Sequence, residues 1–174
     1  MDYYPLREIR QNPLPPPHFI VWVIIALIIA VMICIGVANA QEIDLSIIAK
    51  IESNNNPNAV SPAGAIGTYQ IMPIVLKEYN TFFRADLKEY ELFDPLINFS
   101  IAQWYLTQRI PQMLRHYLIP DNIITRLIAY NWGIGNLVKF NEKYASQSIS
   151  ETLIYLPDET RQYIKKYKRL AGIK

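Results

Sequence analysis

Phe19 to Ala38 reads FIVWVIIALIIAVMICIGVA, 20 residues without a charged side chain. At about 1.5 Å of rise per residue, a helix of that length matches the roughly 30 Å hydrocarbon core of a bilayer. A segment this long and uniformly apolar is not a soluble helix. It divides the chain into a tail over residues 1–18, a transmembrane or signal segment over 19–40, and a domain over 41–174. An uncleaved anchor is the preferred reading. The run exceeds the roughly 7–15 residues of a signal core, and a long tail precedes it. The alternative is a secretory signal cleaved after Ala40, where Ala38-Asn39-Ala40 fits the small-x-small rule. Arg7 and Arg10 precede the run while Glu42 and Asp44 follow it, so the amino terminus is expected inside and the domain on the extracytoplasmic, periplasmic side.

The rest of the composition excludes several classes of function. A formal net charge of +2 suggests neither nucleic-acid binding nor an acidic tail. The single cysteine, Cys34, lies inside the apolar run, so the domain over 41–174 has no disulfide and no thiol for metal binding or nucleophilic attack. His18 and His116 lack ligand spacing. No metal and no cofactor are expected.

Pro5, Pro13, Pro15, Pro16 and Pro17 make the tail extended and unpacked. From Gln41 onward the apolar spacing is helical and period-2 alternation is absent, which predicts an all-α domain without a sheet. The spacing predicts helices over Ile43–Ser53 and from Pro73 to about Tyr79. Asp94-Pro95 reads as a cap and proline start for a helix through Trp104 to about Ile110. Pro120-Asp121 opens another, which Gly133 and Gly135 break and which resumes near Asn136. Ser148 and Glu151 are spaced as a capping box before Ile149–Tyr155, and a basic helix follows Pro157-Asp158. Thr81 to Leu92 follows neither pattern.

Glu52 lies one turn beyond Ile48, beside the apolar stripe of the first helix. A carboxyl against an apolar wall loses solvation when charged, so its pKa rises and it can deliver a proton near neutrality. Three asparagines and a loop holding Pro57, Pro62, Gly64 and Gly67 follow at once. Such a loop can fold tightly back against the carboxyl.

Four ordered blocks give this arrangement a context. They are Glu52-Ser53; Asn56-Pro57-Asn58-Ala59-Val60-Ser61-Pro62-x-Gly64-Ala65-x-Gly67-x-x-Gln70-Ile71-Met72-Pro73; Ala129-Tyr130-Asn131-x-Gly133-x-Gly135-Asn136; and Leu156-Pro157 with Glu159-Thr160-Arg161-x-Tyr163-Ile164. Together they resemble the catalytic domain of the lytic transglycosylases, relatives of goose-type lysozyme that cleave bacterial peptidoglycan. The resemblance implies a lysozyme-like helical fold and a substrate of peptidoglycan glycan strands. It implies that Glu52 is the catalytic acid and base, and that Ser61 and Gln70 hydrogen-bond the substrate. Met72 would line the cleft, Tyr130 and Asn131 would form the opposite wall, and Tyr163 would point toward the catalytic centre. Thr68-Tyr69, Trp132 and Ile134 depart from the family pattern, and Tyr69 and Trp132 are expected to narrow the cleft.

Ordinary glycosidases use two carboxylates. The matched blocks give a part to no second one. The implied reaction cleaves the bond between N-acetylmuramic acid and N-acetylglucosamine and closes a 1,6-anhydromuramoyl ring without water. A goose-type hydrolase is the alternative, with Asp86, Glu89, Glu91 or Asp94 as a base. A non-catalytic wall-binding component of an envelope-spanning machine is the alternative of another class. A membrane-active peptide is disfavoured because the apolar run is uniform rather than amphipathic. Besides the wall, the implied partners are the membrane, through residues 19–38, and a secretion, conjugation or phage-entry apparatus.

Overall fold

The computed structural model describes residues 42–145 and 147–173, together with Val21, Ile24 and Ile25. The chain divides into two compact units, Met1–Ala40 and Gln41–Lys174. In the first unit the three described residues are helical and exposed. The remainder of the expected anchor, like the proline-rich tail, lies outside the described residues. Among the described residues no helix is long and apolar enough to cross a membrane.

The second unit is built from short helices. Helix α1 (Leu45–Glu52) begins two residues after the expected start, because the Asp44 carboxylate accepts the Ser46 N–H at 2.8 Å and so sets the cap there. It stops where Asn54 and Asn55 both take positive φ, 57° and 64°, a conformation that asparagine tolerates better than most residues. Helix α2 (Pro73–Phe83) runs four residues past its expected end and closes on Arg84 at φ 53°. Thr81 to Leu92, unassigned by pattern, holds the last turn of α2 and, beyond Arg84, the start of a 3₁₀ turn (Glu89–Phe93).

Asp94 caps α3 (Pro95–Trp104) by accepting the Leu96 and Ile97 N–H groups. The expected end at about Ile110 is not an end, because the helical path continues through Pro111. The chain widens into a π-helical turn (Tyr105–Arg109) and continues as α4 (Ile110–His116). Proline offers no N–H and its ring crowds the carbonyl four residues back; the wider turn, in which the Ile110 N–H reaches Tyr105 O, absorbs both problems. Helix α5 (Ile123–Ile128) follows a capping box at Asn122 and Thr125 and passes into a second π turn (Ala129–Gly133). Helix α6 (Ile134–Lys143) resumes at once, because only Gly133, at φ 89°, interrupts the run. The expected capping box at Ser148 and Glu151 starts α7 (Ile149–Thr152), which tightens into a 3₁₀ turn (Leu153–Tyr155) before α8 (Asp158–Leu170).

Every helix but the short α7 adds apolar residues to one core. Ile48 of α1, Ile101 of α3, Leu114 of α4, Leu127 of α5, Leu137 of α6 and Tyr167 of α8 are all essentially inaccessible to solvent. Burying such a side chain contributes about 1.5–3 kcal/mol, so this core can hold the unit without a disulfide. The Tyr167 hydroxyl also accepts the Asp44 N–H at 2.7 Å, which ties the start of α1 to α8.

Among the described residues four polar side chains are buried: Asn98, Thr125, Thr152 and Thr160. Asn98 of α3 is fully buried; it accepts the Tyr69 N–H at 2.8 Å and donates to Leu92 O at 2.9 Å and Ile66 O at 3.0 Å. It thereby suspends the loop between α1 and α2. Two isolated antiparallel bridges, Val60 with Ile66 and Ile66 with Ile71, fold that loop onto itself. Gly67, at φ 80°, passes so close that a Cβ there would meet the Asn98 amide and would lie 2.5 Å from Leu92 O.

Gly64 and Gly67 therefore separate two costs of replacing glycine. Gly64 also has positive φ, but nothing lies within 4 Å of an added Cβ. Gly64→Ala is expected to cost about 1 kcal/mol, the strain of the backbone alone. Gly67→Ala is expected to cost about 3 kcal/mol or more, since strain and overlap add. Denaturant unfolding monitored by circular dichroism measures both; equal losses would show that Asn98 yields readily.

Candidate active site

Glu52 is the last residue of α1, and the neighbouring backbone turns away at once. The Ser53 hydroxyl donates to Thr68 O at 2.8 Å and accepts the Asn56 N–H at 2.9 Å, which holds the loop against the end of the helix. The Glu52 carboxyl is thus enclosed between that loop and α8. Desolvation by burial raises its pKa from the ordinary 4.5 to about 7, and the negative charge of Glu159 adds to the rise. The Tyr163 hydroxyl, which donates to Glu52 Oε1 at 2.7 Å, and the Lys166 charge oppose it without cancelling it. Among the described residues no donor reaches Oε2.

Two cavities meet at this carboxyl. One, of about 680 Å³, is lined by Glu52, Ser61, Gln70, Met72, Tyr130, Asn131 and Trp132 among others. The second, of about 590 Å³, is lined by Glu52, Asn131 and the face of α8 that carries Glu159, Tyr163 and Lys166. Six of the seven residues singled out from the sequence therefore line the first cavity, and Tyr163 lines the second, which shares Glu52 and Asn131 with it.

Their local bonding engages some of their polar atoms and leaves others open to the cleft. The Ser61 hydroxyl oxygen accepts the Ala65 N–H at 3.0 Å, so it closes a turn while its own proton stays free to donate. Gln70 holds φ 50°, and its amide nitrogen donates to Gly67 O at 3.0 Å and Ala59 O at 3.3 Å. Only its amide oxygen remains available to a ligand. The Tyr130 hydroxyl donates to Tyr69 O at 2.6 Å, and burial pushes its pKa far up, so it stays neutral and braces the loop across the cleft. Asn131 makes no side-chain hydrogen bond among the described residues and faces both cavities. Tyr130, Asn131 and Trp132 fall within the second π turn, and all three line the first cavity. Met72 is half exposed at the cap of α2.

Two expectations need correction. Tyr69 does not narrow the cleft. Its N–H is bound by Asn98, and its ring is buried against Phe99 at a centroid distance of 5.9 Å, on the core side of the loop. Trp132 does line the cleft, with its ring set edgewise against Phe140. The carboxylates considered as a hydrolytic base are also elsewhere. Asp86 pairs with Lys88, Glu91 accepts the Lys88 N–H, Asp94 caps α3, and Glu89 lines a separate cavity beside Pro73 and Asn80.

The carboxylate that does share the cleft is Glu159, to which the sequence reading gives no part. It precedes Tyr163 by one helical turn of α8, so the spacing alone places both on one face. Tyr105 lines the first cavity too, and burial raises its pKa to about 12. It lies in an apolar stretch, where pattern gives no sign of it.

The helical unit and this cleft belong to a known class. The family model for the transglycosylase SLT domain matches residues 38–153, and the chain belongs to that family. Membrane-bound lytic murein transglycosylase D of Escherichia coli K12 is 28% identical over 132 residues, 75% of this chain and 27% of that protein. Its counterpart in Escherichia coli O6:H1 gives the same figures. The crystal structure of the 70 kDa soluble lytic transglycosylase from Escherichia coli superposes with a TM-score of 0.62 at 30% identity, over 77% of this chain and 23% of that one. The chain thus spans about a quarter of the length of these relatives. The family match ends before α8, so Tyr163 and Glu159 join the site through the fold rather than through that match.

The raised pKa of Glu52 has a consequence for stability. Below about pH 4.5 the carboxyl is neutral both folded and unfolded, and its burial costs little. As pH rises through about 7 the folded protein must hold the proton or bury the charge, and stability is lost. Glu52→Gln removes this penalty, and the difference between 4.5 and about 7 corresponds to about 3 kcal/mol. The variant is expected to be more stable than the parent at pH 8 by up to that amount and equal to it at pH 4. A constant difference across this range in denaturant unfolding would show that Glu52 titrates normally.

Proposed function

We propose that the chain is a peptidoglycan lytic transglycosylase and that Glu52 alone carries its proton transfers. The observation that carries this reading is a desolvated carboxyl, with a pKa near 7, at the junction of two open cavities. Such a group is half protonated at neutrality, so it serves equally as acid and as base. Glu52 gives its proton to the oxygen of the bond between N-acetylmuramic acid and N-acetylglucosamine, and the carbon–oxygen bond breaks. The substrate's own acetamide stabilises the positive charge that develops at the anomeric carbon. The Glu52 carboxylate then takes the proton of the muramoyl 6-hydroxyl, whose oxygen closes the 1,6-anhydro ring. The acid is restored and no water is consumed.

The surrounding residues fit this cycle. The Tyr163 hydroxyl steadies Oε1 in both protonation states and leaves Oε2 for the substrate. Ser61, the Gln70 amide oxygen and Asn131 supply short polar groups for sugar hydroxyls and acetamides, while Met72, Tyr130 and Trp132 offer faces for ring C–H surfaces. The apolar run over residues 19–38 anchors the domain to a membrane, with Gln41–Lys174 on the extracytoplasmic side, and the wall lesion serves a secretion, conjugation or phage-entry apparatus.

Glu159 supports a second reading, a muramidase of the goose-lysozyme kind. Its carboxylate shares both cavities with Glu52 and could activate a water.

Digestion of purified sacculi, with mass spectrometry of the products, separates the two. Transglycosylation gives anhydromuramoyl ends, and Glu52→Gln lowers the rate by about 10²–10⁴-fold or more. Glu159→Gln retains most activity, and its alkaline limb moves to lower pH because a charge that raises the Glu52 pKa is gone. Reducing muramic acid ends, lost with Glu159→Gln, would favour the hydrolase. Fractionation with amino-terminal sequencing tests the anchor: a membrane-bound product with an intact amino terminus is expected, and a soluble one beginning at Gln41 would identify a cleaved signal.

A further inference from the structure

The two arms of the cleft differ in charge. The arm that holds Ser61, Met72 and Trp132 has no lysine or arginine in its lining. The other arm runs along α8, where Gln162, Tyr163, Lys166 and Arg169 follow one another at helical spacing, with Lys165 beside them. A third cavity, of about 560 Å³, extends this arm past Glu52 and is lined by Lys50, Asn54, Lys166 and Arg169. These four cations, Lys50, Lys165, Lys166 and Arg169, are exposed, and among the described residues none forms an ion pair. Lys77, Arg84, Lys139, Lys143 and Lys168 also form no ion pair among the described residues, so it is their grouping along one cavity wall that sets these four cations apart. Glu159 is the only carboxylate besides Glu52 in this lining, and it sits at the junction end.

Lys166 and Arg169 fall on the same stripe as Tyr163, whose hydroxyl binds the Glu52 carboxyl. The cationic surface is therefore continuous with the reacting centre. Sugar rings of the glycan strand carry no charge that would call for it. The acidic groups of the polymer are the carboxylates of the peptide stems on its muramoyl residues, and a stem must leave the cleft close to the bond that is cut.

Resting on the proposed transglycosylase activity, we infer that the Lys50, Lys166 and Arg169 arm binds the carboxylates of an acidic peptide stem, so that the protein selects peptide-bearing glycan strands over stripped ones. Several separated cations along an open groove suit a flexible peptide with more than one carboxylate. A strand stripped by an amidase keeps only the lactyl carboxylate, held close to its sugar ring.

The test compares the full chain, in detergent, on uncross-linked peptide-bearing strands and on the same strands stripped by an amidase. The parent is expected to show a kcat/KM about ten-fold higher on the peptide-bearing strands, expressed chiefly in KM. In K166A/R169A the preference falls toward one, and in K166E/R169E it inverts. Salt of about 0.5 M, with a screening length of about 4 Å, weakens the parent's preference. Equal kcat/KM on both strands in the parent, or a preference that survives charge reversal, overturns the inference while leaving the activity standing. Cleavage of neither strand by the parent removes the proposed activity, and this inference with it.

Discussion

The buried amide of Asn98 is the contact on which the cleft depends. A primary amide offers a donor and an acceptor in fixed geometry, and α3 carries it into the mostly apolar core. There it binds three backbone groups from two different segments. An unpaired amide at that depth would cost more than any single bond it makes, so the loop has little freedom to leave. The absence of a side chain at Gly67 belongs to the same contact, because nothing larger passes between the amide and Leu92 O. With this point fixed, Tyr69 faces the core, its carbonyl receives Tyr130, and Gln70 turns toward the cleft. The strained φ of Gln70 persists because its neighbours on both sides are held.

Against that rigid wall stands the Glu52 carboxyl, whose properties come from two opposed influences. Burial favours the neutral acid, while the Tyr163 hydroxyl and Lys166 favour the anion. The balance near 7 suits a group that must release and recover one proton, as the proposed reaction requires. Burial without Tyr163 would hold the proton too tightly, and a closer cation would release it too early. The wall and α8 thus act on different aspects of the site: the loop sets its shape, and the helix sets its proton affinity.

The two π turns are a further structural device. One lets a single long helical path continue through Pro111, so that Leu114 reaches the core behind the cleft. The other carries Tyr130, Asn131 and Trp132, and all three line the cleft. Both replace a regular turn where the sequence would otherwise have to break the helix.

The resemblance of four ordered blocks to a known family pointed to six of the site residues, whereas the sequence by itself determined the helical class, the apolar run and the carboxyl of Glu52 on the edge of an apolar stripe. These are local properties, since period, caps and proline or glycine positions act over a few residues. It did not determine that the chain would pass Pro111 as helix, that Tyr69 would turn inward, or that Glu159 rather than Asp86, Glu89, Glu91 or Asp94 would share the cleft. The first depends on the Ile110 N–H finding Tyr105 O in a wider turn, and the other two on partners distant in the chain, Asn98 holding a loop 29 residues away and α8 packing on α1. The same is true of the pKa of Glu52. A carboxyl's residue type is written in the sequence, but its proton affinity follows from how much water surrounds it, and only packing excludes that water.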